Sequence, residues 1–140
     1  MTPSETASDM EQKDLIGIAA SLARPFTPSA DCLSGSVAAA LVTAESHTFT
    51  GVCVDTACSL GFCAEHAAIA EMLKARESAV RIIVAVNKDG VVLPPCGRCR
   101  ELLWQIDDRN QSAWVVLRVA ELASATFCLI DEHRACKQKH

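Results

Sequence analysis

FTGVCVDTACSLGFCAEHAAI, residues 49–69, runs from one kind of periodicity into another. Phe49 to Val54 reads as a strand, and from Cys63 onward Ala67, Ala68, Ala70, Met72, Leu73 and Ala75 are helix formers, predicting a helix over 63–76. Cys63 stands at the changeover and Glu65 follows two residues later. A second changeover of the same kind lies downstream. Arg81 to Val86 is a β-branched run suited to a buried strand, Asn87 to Gly90 is a turn signal, and PPCGRCRELL, residues 94–103, opens a helix expected from Gly97 through Trp104. Cys96 and Cys99 sit at its start. A CxxC pair by itself can cycle through a disulfide, anchor a structural zinc, or hold half of a catalytic metal site.

Working outward, Ser8-x-x-Glu11 is a capping-box pattern, and Leu15, Ile16, Ala19, Leu22 and Ala23 recur at helical spacing. That helix stops before Pro25. Residues 25–35 carry loop chemistry, Val37 to Val42 reads as the first strand, and the polar AESHT before Phe49 fits a hairpin connection. Trp114 to Leu117 is a further strand, and a last short strand or helix is expected from about Thr126 to Arg134. Strands and helices alternating after an opening hairpin predict an α/β fold: three layers, α/β/α, on a mixed five-stranded sheet. Residues 1–140 are expected to form a single domain, with 1–7 as a flexible tail.

Half of the residues are hydrophobic, which excludes disorder of the whole chain. A net charge of −4 provides no basic footprint for long nucleic acid. No apolar run reaches membrane-spanning length, and MTPSETASDMEQKD is too polar for a signal peptide, so the expected location is cytoplasmic. Eight cysteines without a secretion signal point to reduced thiols, some of which bind metal. Cys32, Cys128 and Cys136 read as small buried hydrophobes.

Three thiolates at two helix starts, where the dipole favours anions, make a zinc site whose fourth tetrahedral position is open. Glu65 stands where an acid/base that does not bind the metal is needed. CAE followed some thirty residues later by PCGRCRE resembles the zinc-dependent cytidine deaminase family, in the branch whose first ligand is Cys. SVAAALVT is similar to the family's first strand, and the resemblance runs over nearly the whole chain. It implies one zinc per chain on Cys63, Cys96 and Cys99, with Glu65 as the catalytic group. It also implies hydrolytic deamination of a cytosine-type ring, zinc making hydroxide available and Glu65 moving the protons. Many cysteine-type relatives carry Arg directly after CAE, where this chain has His66. Arg100 matches the family's C-R, so Arg100 and His66 are expected beside the thiolates, with Arg98 a further candidate. A homo-oligomer, tetramer or dimer, and a small-molecule substrate follow from the same resemblance.

Some positions depart from the pattern. Relatives acting on cytidine usually hold the ribose with an Asn-x-Glu pair on the second strand. The matching positions are Cys53 and Asp55, which with Ala64 are the expected substrate-facing residues. The stretch from Asp55 to Cys63 is one residue short, and Gly35 stands near the place of an aromatic that would cover the base. The Phe that some relatives place near the C-terminus is missing, and PCGRCRE is nearer the blasticidin S deaminase version. The chemistry is thus legible, while the aminated heterocycle and its need for a sugar stay open. Three other readings compete: a structural zinc module completed by Cys58, a CxxC redox protein with a Cys96–Cys99 disulfide, and a polynucleotide editor, which the acidic composition opposes. His47 in a turn and His133 and His140 in a polar tail read as surface, Trp104 and Trp114 as core or interface, and Phe26 as pocket lining or a core cap.

Overall fold

The computed structural model describes residues 9–119 and 125–129. Helix α1 (Asp9–Leu22) leads to β1 (Phe26–Ser29) and then to the long β2 (Cys32–Thr43) and β3 (Thr48–Thr56). Then come α2 (Ala64–Lys74), β4 (Val80–Asn87), β5 (Val92–Leu93), α3 (Gly97–Ile106), β6 (Trp114–Val119) and β7 (Ala125–Leu129).

All the strands join one mixed sheet, in the order β1-β2-β4-β6-β7, with β3 on β2 and β5 on β4. Every pairing is antiparallel except β4–β6, which is parallel, so α3 lies on a crossover connection. The expected mixed α/β architecture is present, with two short strands beyond the expected five. One of these corrects the reading of residues 25–35 as a loop. Phe26 pairs with Ser34 and Ser29 with Cys32 in a tight hairpin. The Pro and Ser that signal a loop are tolerated there because β1 needs few ladder bonds. Phe26 is 59% exposed on it, so it caps no core.

Alternation along the strands sorts the core onto two faces. Ala40, Val42, Ile82, Val84 and Val86 pack with Leu15 and Ala19 of α1. Ala39, Leu41, Ile83 and Ala85 pack on the other side with Ala68, Ile69 and Met72 of α2 and Leu103 of α3. Period-two strands thus present one apolar row to each helical layer. Fully burying a side chain such as Ile69 or Met72 contributes about 1.5–3 kcal/mol. Ser8 of the anticipated capping box lies outside the described residues; Glu11 instead makes a two-pronged ion pair with Arg81, tying α1 to β4.

One consequence matters for function. Helices α2 and α3 lie on the same face of the sheet, and both begin at the same end of the core. Gly61 sets the approach to α2. Val54 and Phe62 exchange both backbone hydrogen bonds (3.0 and 2.9 Å), and a Cβ on Gly61 would stand 1.8 Å from the Val54 carbonyl oxygen. Only glycine fits.

Candidate metal centre and cleft

Cys63 is the N-cap of α2 and Cys96 the N-cap of α3, both in extended backbone, and Cys99 lies in the first turn of α3. The folded chain therefore brings two helix starts, thirty-three residues apart, to one point. Cys63 Sγ is 3.6 Å from Cys96 Sγ, which is 3.3 Å from Cys99 Sγ and accepts the Cys99 N–H at 3.4 Å. Glu65, buried on the first turn of α2, places Oε2 3.4 Å from Cys99 Sγ.

The three thiols influence one another. Burial, then the Glu65 carboxylate, pushes the Cys99 thiol far above its ordinary range. Burial and the hydrogen bond with Cys96 raise Cys63. For Cys96 burial also raises the pKa, but the Cys99 N–H and the neighbouring thiols outweigh it, and the net direction is down. Three ionised thiolates this close require a cation among them. A tetrahedral zinc with bonds of about 2.3 Å sets its sulfurs roughly 3.8 Å apart. The three sulfurs, all within 4.8 Å of one another, fit such an ion.

Cys58 does not join them. It is exposed on the 3-10 turn Ala57–Ser59, and the metal-competent group among the described residues near the cleft comprises Cys63, Cys96 and Cys99 alone. Cys96 and Cys99 are free thiols. The sulfurs and Glu65 border a cleft of about 410 Å³ whose walls include Cys53, Asp55, Phe62, Ala64, Pro94 and Arg98. The expected substrate-facing residues Cys53, Asp55 and Ala64 all line it.

Arg100 is 8% exposed, and its Nε and Nη1 have no hydrogen-bond partner among the described residues; its Nη2 lies beside Gly97. His66 Nε2 is likewise buried without a partner, and burial followed by the nearby Arg98 depresses its pKa. Neither side chain bonds the sulfurs. Arg98 is exposed at the cleft wall. The surface reading of His47 holds, although it meets Glu77 at 2.8 Å, with Glu45 close by. His133, His140 and Cys136 lie outside the described residues.

Residues 10–114 match the family described as cytidine and deoxycytidylate deaminase zinc-binding region. The chain belongs to this zinc-binding deaminase family. Its members are hydrolases acting on C–N bonds. Among solved structures, the chain is similar to a cytidine deaminase from Mycobacterium leprae (21% identity, TM-score 0.69, 87% of this chain and 95% of that one). It is also similar to cytidine deaminases from Burkholderia pseudomallei (25%, 0.66, 86% and 93%) and Bacillus anthracis (22%, 0.66, 91% and 94%). The likeness is one of fold across almost the full length of each. Family membership, together with the sulfur geometry, makes Cys63, Cys96 and Cys99 the candidate zinc site of this deaminase-family chain.

Sequence reasoning missed Ser36. It stands behind the cleft wall, 3.2 Å from Cys53 Sγ and 3.3 Å from Asp55 Oδ2. The signal was Gly35, whose freedom at positive φ announces an irregular strand.

Proposed function

We propose that the protein is a zinc-dependent hydrolytic deaminase that converts an aminated pyrimidine nucleoside or a related heterocycle to its oxo product with release of ammonia. The observation that carries this is the Glu65 carboxylate 3.4 Å from a sulfur of the zinc site and bordering an open cleft. A purely structural zinc site needs neither. Bound to Cys63, Cys96 and Cys99, zinc supplies the Lewis acidity that makes water nucleophilic at neutral pH.

The chain's own residues do the rest. Glu65 takes a proton from the attacking water, passes it to the ring nitrogen beside the amine-bearing carbon, and then assists departure of ammonia. Its burial keeps the carboxylate from being screened by solvent. Ala64, Phe62 and Pro94 give the ring an apolar seat. Within this reading, Arg100 supplies positive charge near the thiolates.

Cys53 and Asp55 favour a second reading of the substrate, as a heterocycle with an altered or absent sugar. Cysteine is a weak hydrogen-bonding group in place of an amide. A homo-oligomer belongs to the same proposal, supported by Leu60 (82% exposed) and Phe62 at the cleft rim. So does a cytoplasmic location, since a thiol-rich metal site suits a reducing compartment.

The test is ammonia release by the zinc-loaded protein from cytidine, deoxycytidine, cytosine, aminopurines and non-nucleoside aminopyrimidines. Turnover of at least one, lost on chelation, is expected. No ammonia from any of them, with zinc bound and the protein folded, would sink the deaminase reading.

A further inference from the structure

We propose that Ser36 is a positioning residue that sets which ring substituent the cleft accepts, by holding the carboxylate of Asp55. The inference rests on the deaminase reading of the cleft.

It starts from an irregularity in β2. Between Ser34, opposite Val54, and Ala38, opposite Val52, the β2–β3 register slips. Gly35 makes the slip feasible: its φ is +83°, and a Cβ there would lie 2.5 Å from the Arg24 carbonyl oxygen. The Ser36 carbonyl is anchored by the Lys88 N–H at 3.0 Å. Bulges re-aim side chains, and this one turns the Ser36 hydroxyl toward the cleft wall.

There it donates to Asp55 Oδ2 at 3.3 Å. Cys53 Sγ, 3.6 Å from the same oxygen, is held by the Val37 N–H at 3.3 Å and by Ser36 Oγ at 3.2 Å. Ser34 secures the strand from below by bonding the Cys53 carbonyl at 2.9 Å. Oδ2 is thus committed, and Oδ1 has no bond from any described residue. Cys53 and Asp55 line the cleft and Ser36 does not, so Ser36 acts through Asp55.

The consequence is chemical. An exposed carboxylate free to rotate loses side-chain freedom when it binds a donor, whereas one already held does not. The wall therefore selects a ring whose substituent donates a hydrogen bond, a hydroxyl or an ammonium group, to a single carboxylate oxygen.

The experiment measures dissociation constants by calorimetry on the zinc-loaded protein for three probes: cytosine, cytidine and 1-(2-aminoethyl)cytosine. Wild type, Ser36→Ala, Ser36→Thr, Asp55→Ala and the Ser36→Ala/Asp55→Ala double variant are compared, with kcat and KM taken in parallel. Ser36→Ala should weaken the better of the two donor-bearing probes about three- to tenfold, the value of one hydrogen bond. Cytosine binding and kcat should not change, Ser36→Thr should restore the affinity, and on the Asp55→Ala background the change should vanish. Whichever substituted probe responds identifies the donor as hydroxyl or ammonium. Equal weakening of all three probes, or a full effect without Asp55, overturns the role of Ser36. Absent turnover by wild type would instead overturn the deaminase reading, and the binding pattern would still decide Ser36.

Discussion

Sγ of Cys99 and Oε2 of Glu65 lie 3.4 Å apart, one on the first turn of α3 and the other on the first turn of α2. The contact joins the group that would hold the metal to the group that would move the proton. It exists only because both helices begin at the same place. Its two partners can be tested separately.

Replacing Cys63, Cys96 or Cys99 with Ala should remove zinc and lower thermal stability together, because binding to the folded state alone adds to its stability. A loss of roughly 10 °C or more is expected for a tightly held ion. Metal content by mass spectrometry and a melting curve check it. A variant keeping full zinc removes that sulfur from the site.

Glu65→Gln should keep the zinc and the fold while deamination collapses by about 10⁴-fold, the upper end for general acid–base catalysis. The amide preserves shape but cannot carry the proton. Near-normal turnover would return the site to a structural role.

Cytidine should be a poorer substrate than a ring with an altered or absent sugar, and Cys53→Asn with Asp55→Glu should raise kcat/KM for cytidine by about tenfold. These changes leave Glu65 and the three cysteines in place. If wild type already prefers cytidine over the whole panel, Asp55 holds the sugar well enough alone.

Gly61→Ala should cost about 1–3 kcal/mol and weaken zinc binding as well. The added methyl would drive into the Val54 carbonyl, break the pairing with Phe62 and displace Cys63 two residues on. Chemical denaturation and zinc titration report the two effects. Unchanged zinc affinity would show that α2 is placed by its packing alone.

Stability should fall as the pH drops below about 4, partly through Asp107. The Arg109 guanidinium, with help from the Arg109 N–H and Ser78, holds its carboxyl well below the usual carboxylate range. A depressed carboxylate contributes its stability above its ordinary pKa and loses it as the pH falls toward the folded value. Asp107→Asn should flatten that decline slightly, since Arg109 is exposed and solvent weakens the pair. Equal slopes for both proteins in acid melting curves would assign the loss to other carboxylates.

The strands and helices that carry the site were legible because their causes are local. The apolar row of β4 and the alanine-rich run of α2 state their own periods, and Pro25 stops α1 without reference to anything distant. The three cysteines and Glu65 stand at helix starts that show in the sequence, but it was the resemblance of CAE and PCGRCRE to the zinc-dependent deaminases that singled them out as a site. What only the tertiary structure decided is how distant segments meet. The chain alone left Cys58 as a rival fourth ligand; the folded chain puts it on an exposed turn, outside the group of three sulfurs. It read residues 25–35 as a loop, whereas pairing with β2 makes part of it a strand. Gly35 hinted at an irregular strand, but the reach of Ser36 to Asp55, nineteen residues along the chain, depends on a register slip between β2 and β3 that only their pairing shows. Periodicity is a property of neighbours along the chain; register is settled by the packing of the whole sheet.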